Sequence, residues 1–371
     1  MNKRIFLSPP HMSGNEMNYI QRAFDENYIT SIGSNVTGFE EKIKAITGAK
    51  HALAVINATA AIHLALRVLG VDENDEVFAS SFTFIGSVAP ILYQKAKPFF
   101  IDSDKKSWNL DPTLLENELK RREKESIKMP KALILTHLYG QMADIEKIIT
   151  ICKKYNIPTI EDAAESLGAT YKDKYSGTFA TIGIYSFNGN KILTTSGGGV
   201  LVSDDLELIH KARFLSTQAK DNFVHYEHTT FGYNYRMSNI LAGIGIAQLE
   251  VLDERINKKR WIFEFYKSAL SASKEIEFMP EIPDSIGNRW LTTVLFKDYA
   301  TRERIRLALE NHNIESRPLW KPMHMQPVFK DADFIANKTS EEMFLRGLCL
   351  PSGTNMSENE LKRVVKIILD K

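Results

Sequence analysis

Short apolar runs alternate with amphipathic stretches across the first two-thirds of the chain, and this alternation limits it to one kind of architecture. The runs at 52–56, 76–80, 97–101, 132–137, 158–161, 181–186 and 199–202 have the length of strands and few polar interruptions. Strands that are apolar on both sides must be covered on both sides, which calls for a mostly parallel sheet between layers of helices. The intervening stretches supply those helices. Ile62, Leu66 and Leu69 fall near one face of a helix that Thr59 is placed to cap, and Ile145, Ile148, Ile149 and Cys152 point inward between Asp144 and Tyr155. The charge-free run 77–94 has nearly the length of a membrane span, yet its Ser80, Ser81, Thr83, Gly86, Ser87 and Pro90 read as a buried strand followed by a helix. After Ser238 a long helical pattern, LAGIGIAQLEVLDERINKKRWIFEFYKSAL, leads to a strand near 290–296 and a helix near 302–311. The expectation is an α/β fold with a large domain over 1–248 and a smaller C-terminal α/β domain over 249–371.

Composition then removes several classes of function. The 371 residues are 43% apolar and 25% charged, a globular mix, and the net charge of +1 sets up no field to recruit nucleic acid or an anionic membrane. The charge-rich segment ELKRREKESIKMPK mixes both signs and reads as a solvated helix end. Cys152 and Cys349 are far apart with no CxxC, so neither a disulfide framework nor a zinc site is supported, and a reducing cytoplasm fits best. Only residues 5–7 form an apolar stretch before Pro9 and Pro10, too short for a signal peptide. His225 and His228 lie three apart without a matching carboxylate pair, so no metal site is expected.

In an open parallel sheet, ligands sit beyond the C-terminal strand ends, and the chemistry-bearing residues cluster there in the sequence. NIPTIED ends in Glu161 and Asp162, which serve either as a site acid or as a helix cap. The next strand runs into SFNGNKILTTSGGG, placing Ser186 and Lys191 just past its end, with the glycines 197–199 letting backbone pass close to a bound ring. NATAAIHL opens a helix whose N-terminal dipole favours a phosphate dianion. Phe82 in SSFTF either stacks on a cofactor or belongs to the core. A lysine, a buried carboxylate and an anion-binding turn are the parts that pyridoxal phosphate chemistry needs.

NATAAIHLAL, SSFTF, THLYG, IEDAAESLGA, SFNGNKILTTSGGG and GYNYRMSNILAGIGIAQLE, in this order, resemble the sugar aminotransferases of the DegT/DnrJ/EryC1/StrS family over essentially the whole chain. The resemblance implies a fold type I aminotransferase, a homodimer with shared active sites, and pyridoxal 5′-phosphate as cofactor, with pyridoxamine phosphate carrying the amino group between substrates. The family's Schiff-base lysine falls on Lys191 and its pyridinium carboxylate on Asp162. Its phosphate contacts fall on Thr59, Ala60 and Ser186, with Asn234 given by the neighbouring subunit, and its ring-stacking aromatic falls on Phe82. Many members carry Gln or His where this chain has Glu165, the position of the ring-hydroxyl contact.

FLSPPHMSGNE, LALRVLGV, SFNGNKILTTSGGG, HYEH, SRPLWKPMH and LCLPSGT extend the likeness to the bacillosamine-pathway branch of the family. Those enzymes aminate C4 of a UDP-4-keto-6-deoxy-N-acetylglucosamine with L-glutamate as donor. On the substrate side the expectation is Arg317, Lys321 and His324 as cations for the diphosphate, Trp320 on sugar or base, residues Asn27, Tyr28, Ile29 and Thr30 at the sugar, and Ala58 close by. Arg236 meets either the glutamate carboxylate or the dimer contact. Another keto sugar or nucleotide carrier gives the same pattern, and a non-catalytic cofactor-binding regulator is the alternative from a different class. GIGIAQ at Gly243 lies in a helical pattern and does not complete a dinucleotide-binding turn.

Overall fold

The computed structural model describes residues 3–271, 273 and 275–370. Its centre is an eight-stranded sheet in the order His51–Val55, Gly199–Ser203, Ile182–Ser186, Thr159–Asp162, Ala132–Thr136, Glu76–Ser80, Lys97–Ile101, Asp333–Ile335. Gly199–Ser203 runs antiparallel to both neighbours, and the remaining pairs are parallel. The seven strands read from the sequence are present, with ends differing by a residue or so. The eighth was not anticipated: three residues from the C-terminal third add to the free edge beside Lys97–Ile101. Separate apolar clusters fill the two sides of the sheet, one of them holding Val77, Ile134 and Ile160 and another Phe78, Leu133 and Leu135. Adjacent strand residues thus go to opposite faces, as the two-residue period demands.

Three local expectations change. The helix after His51–Val55 spans Ala58–Val68, and its cap is Asn57, whose side chain accepts from the Ala60 N–H at 2.7 Å; Thr59 lies inside the helix. The charged segment begins in helix Pro112–Glu125, but it is not simply solvated. Glu118 and Arg122 are buried and paired at 2.8 Å, and the Arg122 guanidinium covers the rings of Phe78 and Phe99. The long helical pattern forms two helices, Asn239–Leu249 and Leu252–Ala269, broken at Glu250 and Val251. Glu250 accepts from Tyr19 Oη and Asn15 Nδ2, tying the break to the N-terminal helix Glu16–Asp25.

A second, antiparallel sheet follows in the order Glu277–Phe278, Thr292–Leu295, Gly347–Leu350, Arg317–Pro318, packed by helices Tyr299–Asn311 and Glu358–Leu369. The N-terminal residues lie against it, with Ile5 bridged to Ile314 and the Ser352 N–H donating to Leu7. No helix among the described residues is long and apolar enough to cross a membrane.

Candidate active site

The carboxyl ends of the parallel strands and the start of helix Ala58–Val68 enclose a cavity of about 260 Å³. Thr136, Asp162 and Ser186, each the last residue of its strand, line it together with Ala58, Thr59, Glu165 and Lys191. The strand period separates two neighbouring acids here. Asp162 faces the cavity, whereas Glu161 points the other way and accepts hydrogen bonds from the backbone N–H groups of Gly177, Phe179 and Ala180 and from His137 Nε2. Glu161 therefore shapes the loop after the strand and Asp162 is left for the site.

Lys191 Nζ lies 3.4 Å from Glu165 Oε1 and 4.2 Å from the centre of the Trp290 ring. The other Glu165 oxygen accepts from the Tyr139 N–H at 2.7 Å. Burial raises the Glu165 carboxyl pKa; Lys191 and the Tyr139 N–H oppose that rise without cancelling it, and Asp162 adds to it. Tyr139 stacks with the indoles of Trp290 and Trp320, at 6.4 and 6.0 Å and nearly parallel to both, and its hydroxyl accepts from the Trp320 backbone N–H. This stack of three rings backs one wall of the cavity.

At the other end, the Ala60 N–H is taken by Asn57 Oδ1 and the Ala61 N–H by Asn57 O. The helix's first N–H groups, which have no intrahelical partner, belong to Ala58 and Thr59 at the cavity. Ala60 is buried behind them and does not line the space. The glycines 197–199 do not line it either. A side chain at Gly199 would collide with the backbone of Asn57 and Ala58, so this glycine lets the antiparallel strand approach the helix start.

The aromatic position also moves. Phe82 is 1% exposed and packed in the core, whereas Phe84, 51% exposed, lines the cavity 5.3 Å from Trp320. Of the expected substrate residues, Ala58 and Trp320 line the cavity. Arg317 borders an adjoining space of about 700 Å³, which shares Asn190, Trp290 and Trp320 with the first, and pairs with Glu315 at 3.0 Å. Lys321 lines neither space. His324 is turned away and buried: its Nδ1 lies 2.6 Å from Ser81 Oγ and its ring stacks on Phe334, so it fastens its segment to the sheet. Residues 27–30 form a turn outside both spaces, with the carbonyls of Tyr28 and Thr30 held by Asn239 and with Tyr28 and Ile29 exposed. Asn234 is exposed beyond its own chain's cavity, bridged to Thr217. Arg236 is buried against Glu40 at 3.3 Å, a contact within the chain. His225 pairs with Glu227, and His228 donates to the carbonyls of Gln218 and Ala219.

Sequence reasoning missed Asn57, Phe84, Tyr139, Asn190 and Trp290. Asn57 and Phe84 had a local signal, since Asn outranks Thr as a cap and Phe84 sits two residues further past the strand end. Trp290 lies 99 residues beyond Lys191, and no local pattern announces their contact.

The residues fit pyridoxal phosphate. Helix N–H groups with the hydroxyls of Thr59 and Ser186 suit a dianion, Asp162 suits a pyridinium nitrogen, and a lysine faces the space between them. Fold and site together are those of a fold type I pyridoxal phosphate enzyme. The chain belongs to the DegT/DnrJ/EryC1/StrS aminotransferase family, whose model matches residues 10–369. It is 53% identical over 373 residues to EpsN of Bacillus subtilis (strain 168), whose name assigns it provisionally to the pyridoxal phosphate-dependent aminotransferases, covering 100% of this chain and 96% of that one. It is 35% identical over 359 residues to the GDP-perosamine synthase of Escherichia coli O157:H7, covering 97% and 96%. A DegT DnrJ EryC1 StrS aminotransferase from Brucella abortus superposes with a TM-score of 0.90 at 26% identity, covering 96% and 95%. The protein is accordingly a pyridoxal phosphate-dependent sugar aminotransferase.

Proposed function

We propose that the enzyme moves the amino group of L-glutamate to C4 of UDP-2-acetamido-2,6-dideoxy-4-keto-glucose, giving UDP-2-acetamido-4-amino-2,4,6-trideoxyglucose for bacterial protein glycosylation. It does so in the cytoplasm, as a homodimer whose sites are completed by Asn234 of the neighbouring subunit. The observation that carries the chemistry is Lys191, next to Glu165 and Trp290, in one cavity with Asp162 and a helix N-terminus. The cofactor supplies an electron-withdrawing ring that stabilises negative charge on the carbon next to the transferred nitrogen. With the cofactor bound, Asp162 would pair with the ring nitrogen, Thr59 and Ser186 with the helix N–H groups would hold the phosphate, and Phe84, which lines the cavity where Phe82 does not, would be the aromatic available to the ring. Lys191 Nζ takes the proton from Cα of glutamate and, in the second half-reaction, returns one at the sugar carbon. Glu165, 3.4 Å from Nζ, orients the lysine for that task. Trp320 and Arg317, at the two adjoining spaces, face sugar and diphosphate.

The UDP sugar is supported by the phrases SFNGNKILTTSGGG and SRPLWKPMH. A GDP-linked 4-keto sugar is the second reading, favoured by the likeness to a GDP-perosamine synthase over nearly the full chain. The test is to supply nitrogen-15 L-glutamate with each sugar nucleotide and follow label by mass spectrometry. Label in the UDP sugar alone is expected, and label in the GDP sugar alone overturns the substrate. Lys191→Ala should fold normally and transfer no label; label transferred at an undiminished rate would remove Lys191 from its role.

A further inference from the structure

Lys259 is a cation in a place built for an apolar side chain. It lies on helix Leu252–Ala269 on the face that also buries Leu252, Ile262 and Phe263, and it is 2% exposed. No carboxylate among the described residues pairs with it. A buried ammonium is unfavourable against a methionine of similar size unless its N–H groups find fixed acceptors. Lys259 Nζ has two: Ser8 Oγ at 3.0 Å and the Trp290 carbonyl at 2.9 Å. Burial lowers its pKa to about 7, and the amine and ammonium forms alike carry enough N–H groups for both acceptors.

Both acceptors lead to Lys191. Ser8 Oγ donates to the Asn190 carbonyl at 3.2 Å, and the indole Nε1 of Trp290 donates to the same carbonyl at 2.7 Å. That carbonyl belongs to the residue before Lys191, and the Trp290 ring lies under Lys191 Nζ. Lys259, Ser8 and Lys191 also border one small enclosed space of about 10 Å³. We infer that Lys259 is a positioning residue: from a rigid helix it fixes, through Ser8 and Trp290, both the turn that carries Lys191 and the ring that Lys191 rests on. This rests on Lys191 being the residue that moves the proton.

The test compares the wild type with Lys259→Met and Ser8→Ala by two readouts. The first is amide hydrogen exchange of the peptide spanning 188–195 in cofactor-free protein. The second is kcat and KM for L-glutamate in the loaded enzyme. In Lys259→Met, exchange of that peptide should rise by about tenfold while the second sheet exchanges as before, and kcat should fall by about 10- to 100-fold with little change in KM. Ser8→Ala, which cuts one link at a half-exposed residue, should move both readouts the same way by a smaller factor, and the double variant should be no worse than Lys259→Met alone. Wild-type exchange and kcat in Lys259→Met overturn the inference; if that variant does not fold, an unchanged Ser8→Ala overturns it. Failure of the underlying reading looks different, because turnover by Lys191→Ala would remove the role of Lys191 while leaving the exchange result in place.

Discussion

Phe82 and Phe84 stand two residues apart after one strand, and only their burial distinguishes them. Phe82 is enclosed and Phe84 faces the cavity, so the two truncations should separate stability from binding. Phe82→Ala should cost about 3–5 kcal/mol in denaturant unfolding. Phe84→Ala should leave the unfolding midpoint nearly unchanged and weaken pyridoxal phosphate binding, measured by absorbance titration, by about 2- to 10-fold for one lost ring contact of about 0.5–1.5 kcal/mol. Glu16 offers a test by pH. Burial pushes its carboxyl pKa up, but the N–H groups of Ser13 and Gly14 and the Gln248 side chain outweigh burial and hold it at about 2, against 4.5 unfolded. A lowered acid pKa stabilises the fold above the unfolded value, and that stabilisation disappears as pH falls through the folded one. Glu16→Gln should therefore be less stable than wild type by about 1–3 kcal/mol at pH 7, with the difference closing between pH 4.5 and 2.

Elements were more legible than their partners. Seven strands were readable because a strand buried on both faces is a continuous apolar run, whatever it pairs with. The edge strand Asp333–Ile335 has no such run; Asp333 and Phe334 are exposed, and only pairing with Lys97–Ile101 makes it a strand. The break at Glu250 was hidden for a related reason, since it depends on contacts with Asn15 and Tyr19 more than 230 residues earlier. The site shows the same division. Asp162, Ser186, Lys191 and Thr59 were readable from their positions at strand ends and a helix start, whereas Trp290 joins only through the folded chain. His324, read as a cation for diphosphate, is instead held by Ser81 and Phe334, contacts that no spacing in SRPLWKPMH reveals. The cap at the phosphate end gives a prediction at this scale. Asn57→Ala should lower stability by about 1 kcal/mol, read from the unfolding midpoint, and should weaken the cofactor through its phosphate, so that affinity for pyridoxal phosphate falls more than affinity for pyridoxal.

At the scale of the whole molecule, a single chain leaves an apolar surface exposed around residues 223–231. Val224 is fully exposed, Tyr226 is 81% exposed, and Phe223 and Phe231 accompany them. A surface of this kind on a globular protein marks a place of association, and Asn234 follows it closely in the chain. Sedimentation of the wild type is expected to show a dimer, and the double substitution Phe223→Ser, Tyr226→Ser is expected to shift it toward monomer with loss of turnover. A monomeric wild type with full activity would contradict shared sites. The cavity itself is open to test by one set of spectra. The protein is loaded with pyridoxal phosphate, and its visible absorption is recorded before L-glutamate, after it, and after UDP-4-keto-6-deoxy-N-acetylglucosamine. Glutamate is expected to abolish the band of the lysine-bound cofactor, and the keto sugar to restore it. A band that glutamate bleaches and this sugar fails to restore would contradict the substrate, and the absence of any such band would contradict the site.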